Sequence, residues 1–232
     1  MPDTPTRPAR CEDCAGREAA LCAHLSDAAL RDFAGLGRLR ALPAGATLSW
    51  EGDRVATVGT VRAGLLKLSA SLPDGRELTL GLAGPGDLVG NPLGAPASHS
   101  VTAVGDASLC LIPGDAFNAF VTREDDAARA LLERLFGELD KARRWLLLIG
   151  RKTAGERVAS LLLDLADRAG AGDGDRVALP LTRQQMAGLL GLTIETVSRR
   201  LHRFAADRVI GLPDLRHFAL IDRAALARLA GD

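Results

Sequence analysis

The period of the apolar residues changes three times along this chain, and each change marks a different kind of structure. From Asp27 to Leu36 they recur at helical spacing over one short segment. Between Arg40 and Phe117 short β-prone runs take over: Thr47 to Trp50, Thr57 to Arg62, Leu65 to Ala70, Glu77 to Leu82, Ser100 to Val104 and Ser108 to Ile112. Turn sequences separate them at Pro43-Ala44-Gly45, Pro73-Asp74-Gly75 and Gly84-Pro85-Gly86-Asp87. Short runs with this punctuation predict an antiparallel barrel or jelly roll.

From Ala127 to Gly150 glycine nearly vanishes, and Ala128, Leu132, Leu135, Leu139, Ala142, Leu146 and Ile149 follow one another at alternating steps of four and three. That is an a/d seam over three heptads, flanked by charged residues. A helix of about 24 residues would be roughly 36 Å long, more than either flanking domain needs, so the seam predicts a homodimer paired along it. A second helical pattern (Ala154 to Arg168), a glycine-rich loop (Ala169 to Asp175) and a short strand (Val177 to Leu179) come next.

The last pattern is the most specific. Thr182 can cap a helix from Arg183 to Leu190, Gly191-Leu192 breaks it, and Thr193 can cap a second helix from Ile194 to Ala206. In that second helix Ile194, Val197, Leu201 and Phe204 fall on one face, predicted buried, and Glu195, Ser198, Arg199 and His202 on another. A helix-turn-helix presents such a polar face to the major groove, where arginine donates twice to guanine, glutamate accepts from the cytosine amino group and serine adapts to several edges. Arg200, Arg203 and Arg208 flank this face and, like the cap hydroxyls of Thr182 and Thr193, suit phosphate contacts. Val209 to Leu212 and Phe218 to Ile221 can pair about Pro213-Asp214 as a wing. Double-stranded DNA is the predicted partner.

Composition sharpens this picture only a little. At 232 residues, 47% apolar and 25% charged, the chain has room for two domains of ordinary size. No apolar run is long enough for a membrane span, and the polar N-terminus carries no signal-peptide core, which predicts a cytoplasmic protein. The balance of 29 basic and 29 acidic residues hides an asymmetry: the stretch through Gly150 holds 16 and 19, the remainder 13 and 10. A mildly cationic end suits a polyanion.

Four cysteines, Cys11, Cys14, Cys22 and Cys110, read as metal ligands or redox groups, because disulfides rarely persist in an unexported protein. Cys110, between two leucines, could equally be a small buried hydrophobe. The four histidines are scattered and only His99 lies in the roll, so no cupin-type metal site forms, no catalytic triad is apparent, and the chain is not expected to be an enzyme.

Together these stretches resemble the cyclic AMP receptor protein superfamily and, within it, the FNR-type oxygen-responsive branch. The likeness runs through the cysteine-rich N-terminus, Gly86-Asp87-Leu88-Val89-Gly90, Arg151-Lys152-Thr153-Ala154-Gly155-Glu156-Arg157-Val158-Ala159, and Leu189 to Arg199 with its E-x-x-S-R pattern. It implies an α+β fold: a cysteine-rich segment (1–26), a β-roll sensor (27–125), a dimerisation helix (126–152) and a winged helix-turn-helix (153–232). It also implies a [4Fe-4S] cluster on Cys11, Cys14, Cys22 and Cys110, base contacts from Glu195, Ser198 and Arg199 to a palindrome with TTGAT-like half-sites, and RNA polymerase as a further partner. The intact cluster would favour the DNA-binding dimer, and oxygen would reverse this.

Two alternatives share the scaffold. A cyclic-nucleotide sensor needs a cation for the phosphate, and the corresponding Pro96 to Thr102 stretch offers only His99. A zinc-dependent regulator could use the same four cysteines in a closed tetrahedral site.

Overall fold

The computed structural model describes Cys11, Cys14, residues 16–54 and residues 56–231. Of the 1–26 segment, residues 1–10, 12, 13 and 15 therefore lie outside the described residues. The chain divides into two compact units, Met1–Asp140 and Lys141–Asp232.

The first unit is built on a roll of two antiparallel four-stranded sheets. Its strands are β1 (Arg38–Leu42), β2 (Thr47–Ser49), β3 (Thr57–Ala63), β4 (Leu66–Ser71), β5 (Glu77–Ala83), β6 (Leu88–Gly90), β7 (Ser100–Ala103) and β8 (Ala107–Pro113). One sheet has the order β1-β8-β3-β6, the other β2-β7-β4-β5. Alternation along the strands divides two cores. Val61, Leu66, Val89, Val101 and Leu109 fill the space inside the roll. Val58 and Ile112, register partners on the outer face of β3 and β8, join a second core with Leu21, Phe33, Phe117, Phe120, Ala127 and Ala130. Cys110 pairs with Thr60 two positions from Ile112, so it shares that outer face.

Helix α1 (Asp27–Leu36) closes this outer core. The Ser26 hydroxyl accepts from the Ala29 N–H at 3.2 Å, and Leu30 and Phe33 are buried. Phe33 stacks obliquely on Phe120, ring centres 4.9 Å apart. Helix α2 (Gly114–Arg123) follows, and after Glu124, which is extended, α3 runs from Asp125 to Arg151. Two elements carry no strong periodic signal: β1, exposed along four of its five residues, and β6, only three residues long.

The second unit begins with α4 (Ala154–Ala169), opened by a reciprocal cap between Thr153 and Glu156 and closed by Gly170 in the left-handed region. Helices α5 (Arg183–Leu190) and α6 (Ile194–Ala206) have the predicted limits. Strands β9 (Arg176–Ala178), β10 (Ile210–Gly211) and β11 (His217–Leu220) form one antiparallel sheet in the order β10-β11-β9. Helix α7 (Arg223–Ala230), which the apolar pattern did not announce, is capped by the Asp222 carboxylate. Among the described residues no helix is long and apolar enough to cross a membrane.

Candidate nucleic-acid interface and cysteine site

The turn between α5 and α6 is fixed by three local devices. The Thr182 hydroxyl accepts from the Gln185 N–H at 3.1 Å while the Gln185 side chain accepts from the Thr182 N–H at 2.8 Å. Gly191 adopts φ 62°, letting the chain turn with the Leu192 N–H still bonded to the Ala187 carbonyl at 2.9 Å. The Thr193 hydroxyl then accepts from the Thr196 N–H at 3.2 Å and starts α6.

On α6, Val197, Leu201 and Phe204 are buried as expected. Ile194 corrects the expectation: it is 42% exposed, because the first residue of the helix projects past the core its later turns cover. Glu195, Arg199 and His202 are exposed and Ser198 is half-buried. Glu195 is held below the usual carboxylate range by its own backbone N–H and then by the Thr193 hydroxyl, so it is a charged acceptor at neutral pH. Arg199 Nη2 lies 3.5 Å from the Thr196 hydroxyl, and the Ser198 carbonyl is 2.7 Å from His202 Nδ1.

The basic residues around this face separate into two groups. Arg203 is exposed, with Nε donating to Asp207 at 2.8 Å. Arg200 is half-buried, its Nε covered beside Gly155 at the start of α4. Arg208 takes φ 56°, a left-handed conformation usual for glycine, where the chain leaves α6. Sequence reasoning missed Arg157, which donates to the carbonyls of Ile149, Lys152 and Leu190 at 2.7, 2.9 and 2.9 Å and so ties the start of α4 to the end of α5. Its neighbours Glu156 and Val158 gave helical pattern but no hint of these carbonyls.

The proposed seam on α3 is unevenly placed. Leu132, Leu135, Leu139 and Leu146 are 57%, 55%, 43% and 73% exposed, Ala142 is exposed, and Ala128 and Ile149 are half-buried. Phe136 and Leu147 are exposed beside them and widen the stripe beyond a strict a/d pattern.

The four cysteines are thiols, each half-buried. Burial, and then the proximity of Cys11, Cys110 and Cys14, pushes the Cys22 thiol up to about 12. The fold thus brings Cys11, Cys14 and Cys110 near enough to Cys22 to act on its charge. Gly37 makes room for one of them, since a Cβ there would stand 2.5 Å from Cys110 Sγ. Among the described residues no group of three or more His, Cys, Asp or Glu side chains is placed to hold a metal ion. His99, the candidate cation of the roll, is held below its usual range by burial, partly offset by Glu51. A neutral imidazole does little for a cyclic phosphate.

Residues 156–229 match the Crp-like helix-turn-helix domain and residues 39–124 the cyclic nucleotide-binding domain. The chain is 39% identical to the transcriptional activator protein FnrL of Cereibacter sphaeroides, over 99% of this chain and 95% of that protein. It belongs to the CRP/FNR family of transcription regulators. Within the CRP/FNR family it is also similar to the nitrogen fixation regulation protein FixK of Bradyrhizobium diazoefficiens, 38% identical over 86% of each chain. The structure of FixK2 from Bradyrhizobium japonicum superposes with a TM-score of 0.77 at 30% identity, covering 83% of this chain and 96% of that one. The jelly roll and C-terminal helix-turn-helix are those of the CRP/FNR fold. The chain is a DNA-binding regulator of FNR/FixK type, not an enzyme.

Proposed function

We propose that this CRP/FNR regulator senses oxygen: loaded with a [4Fe-4S] cluster, it pairs through α3, binds palindromic TTGAT-like operators in the cytoplasm and activates transcription through RNA polymerase. What supports the reading is that Cys11, Cys110 and Cys14 lie near enough to Cys22 to raise its thiol, in a chain 39% identical over 99% of its length to a transcriptional activator named FnrL. The residues fit such a group in kind, because soft thiolates suit iron-sulfur centres. A bound cluster supplies a centre that oxygen degrades.

The chain's own residues would do the rest. Each of the four sulfurs must give up its proton to become a ligand, and Cys22 keeps its proton at neutral pH until a metal displaces it. Leu132, Leu135, Phe136, Leu139 and Leu146 give each copy an apolar stripe that a second copy can cover. Two-fold pairing then sets two α6 helices against successive major grooves, about 34 Å apart, which is why the operator should be a palindrome. There Arg199 would donate to guanine, Glu195 accept from cytosine and Ser198 adapt to the neighbouring edge. Thr182, Thr193 and Arg203 would touch phosphates, adding affinity without sequence preference.

Anaerobic purification followed by iron and sulfide analysis tests this directly, with operator binding measured before and after air. A brown protein that bleaches in air and releases operator DNA is expected. A colourless protein with stoichiometric zinc, or one whose operator binding ignores air, would overturn the proposal.

A further inference from the structure

The segment carrying Cys14 and Cys22 rests on a single turn of the roll. Gly16 is buried, and a Cβ there would stand 2.6 Å from both the Gly86 nitrogen and the Val61 carbonyl oxygen. Those two atoms are hydrogen-bonded to each other at 2.8 Å, so the cysteine segment lies directly on a bond that joins the turn to β3. Gly86 answers from the other side. With φ 91°, it is placed so that a Cβ would meet the Ala19 backbone carbon at 2.7 Å. Two backbones thus touch with no side chain between them, and packed interiors transmit such displacements rather than absorb them.

The next residue of the turn faces the pairing helix. Asp87 is buried, its Oδ2 accepting from the Gly84 N–H at 2.9 Å, and its backbone carbonyl accepts from the Val61 N–H at 3.0 Å. Its Oδ1 stands 3.8 Å from Arg134 Nη1. The side chains are only 7% and 20% exposed, so the attraction is less screened than that of a surface pair. Arg134 belongs to α3 and immediately precedes Leu135 of the exposed stripe. Val61, the anchor of the turn, follows Thr60, the register partner of Cys110. The cysteine segment and the strand partner of Cys110 therefore meet at the same bonds of Val61 with Gly86 and Asp87.

We infer that the Gly84–Asp87 turn is a relay between the cysteine segment and the pairing helix, with Arg134 as its positioning residue. The inference rests on the oxygen-sensing reading above. With the four sulfurs drawn to one centre, the segment is seated on Gly86, the turn holds Asp87 toward α3, and Asp87 fixes the rotation of the helix through Arg134. With the sulfurs released, the segment no longer presses on the turn, and the helix loses that constraint on which face it shows. The relay works as a coupling free energy: seating of the segment and pairing of two copies each favour the same position of the turn.

The test uses the full-length protein, reconstituted anaerobically with iron and sulfide. Iron content, visible absorbance and the dimer dissociation constant by sedimentation are measured before and after air for wild type, Arg134→Leu, Arg134→Lys and Gly16→Ala. Arg134→Leu should load as much iron as wild type while its air-induced change in dimer dissociation constant shrinks by about fivefold or more, within the usual range of coupling between sites. Arg134→Lys should keep most of the change, and Gly16→Ala should lose it with Arg134 intact. A full air response in Arg134→Leu overturns the relay, as does a lysine variant no better than leucine. Should Arg134→Leu fail to fold, a full response in Gly16→Ala overturns it equally. If wild type itself loads no iron, the sensing reading fails and takes the relay with it; if wild type responds and Arg134→Leu responds as fully, the relay alone is lost.

Discussion

The reading head and the cysteine site are assembled in opposite ways. Most devices that shape the α5–α6 turn come from residues within a few positions of it, Thr182 with Gln185, Gly191 with Ala187 and Thr193 with Thr196, and Arg157 adds one bond from α4 to the Leu190 carbonyl. The cysteine site depends on strangers. Cys110 comes from β8, its space from Gly37 at the end of α1, and the seat of the Cys14–Cys22 segment from Gly86 and Val61. An element held mostly by its own neighbours keeps its shape when distant parts of the chain shift, whereas a site built from remote parts registers any change among them. That difference suits a fixed reader and a variable sensor.

The comparison can be broken most severely at a thiol. Cys110→Ser or Cys22→Ser should abolish iron loading and the air-dependent change in operator binding while leaving weak, non-specific DNA binding in place; circular dichroism and binding to random DNA would check the second half. Next in size, Arg199→Ala should cost about 1–3 kcal/mol at its matched base and relax specificity there, while Arg203→Ala should weaken all sequences alike and lower the salt slope by about one. Equal losses on operator and random DNA in both variants would refute the division between base and phosphate contacts.

Gly37→Ala sharpens the contrast from the other side. Its Cβ would press on Cys110 Sγ, so iron content should fall, and overpacking should destabilise the first unit by about 1–3 kcal/mol in denaturant titration. The analogous local lesion, Thr193→Ala, should cost about 1 kcal/mol of the second unit's stability and leave iron content untouched. The smallest effect concerns pH. Because the carboxyl of Glu195 sits below its ordinary range, its charged form is present above that range and is lost only as pH falls through the lowered value. The ratio of operator to random-DNA affinity should therefore stay level as pH is lowered from neutral to about the ordinary glutamate value near 4.3; a steep fall beginning near pH 6 would contradict it.

The same contrast governs what the sequence discloses. Helices α5 and α6 begin and end where their caps and glycine say, since those signals act within one turn of helix. The roll was legible from alternation and turns, although β1 was hidden by its exposed, basic residues and α7 by its brevity, eight residues that follow the wing and bury only Leu226 and Ala230. Ile194 was misplaced because helical spacing assigns a residue to a face but not to a depth, and for the same reason spacing gave no sign that the Arg200 Nε would be covered beside Gly155. That Cys110 belongs with Cys11, Cys14 and Cys22 came from the resemblance alone, because nothing local marks a cysteine between two leucines as a neighbour of the N-terminal segment; its proximity to Cys22 arises from tertiary packing. The roles of Gly16, Gly86 and Arg134 were invisible, because close approach of two backbones leaves no periodic trace.

The breadth of the stripe on α3, with Phe136 and Leu147 added to the leucines, carries one more consequence under the pairing proposed above. Assembly of two copies is second order, so the paired fraction rises with the amount of protein as well as with its loading. The oxygen level at which such a regulator switches is then set partly by its own expression, and a cell could retune the threshold by making more or less of it without altering a single residue.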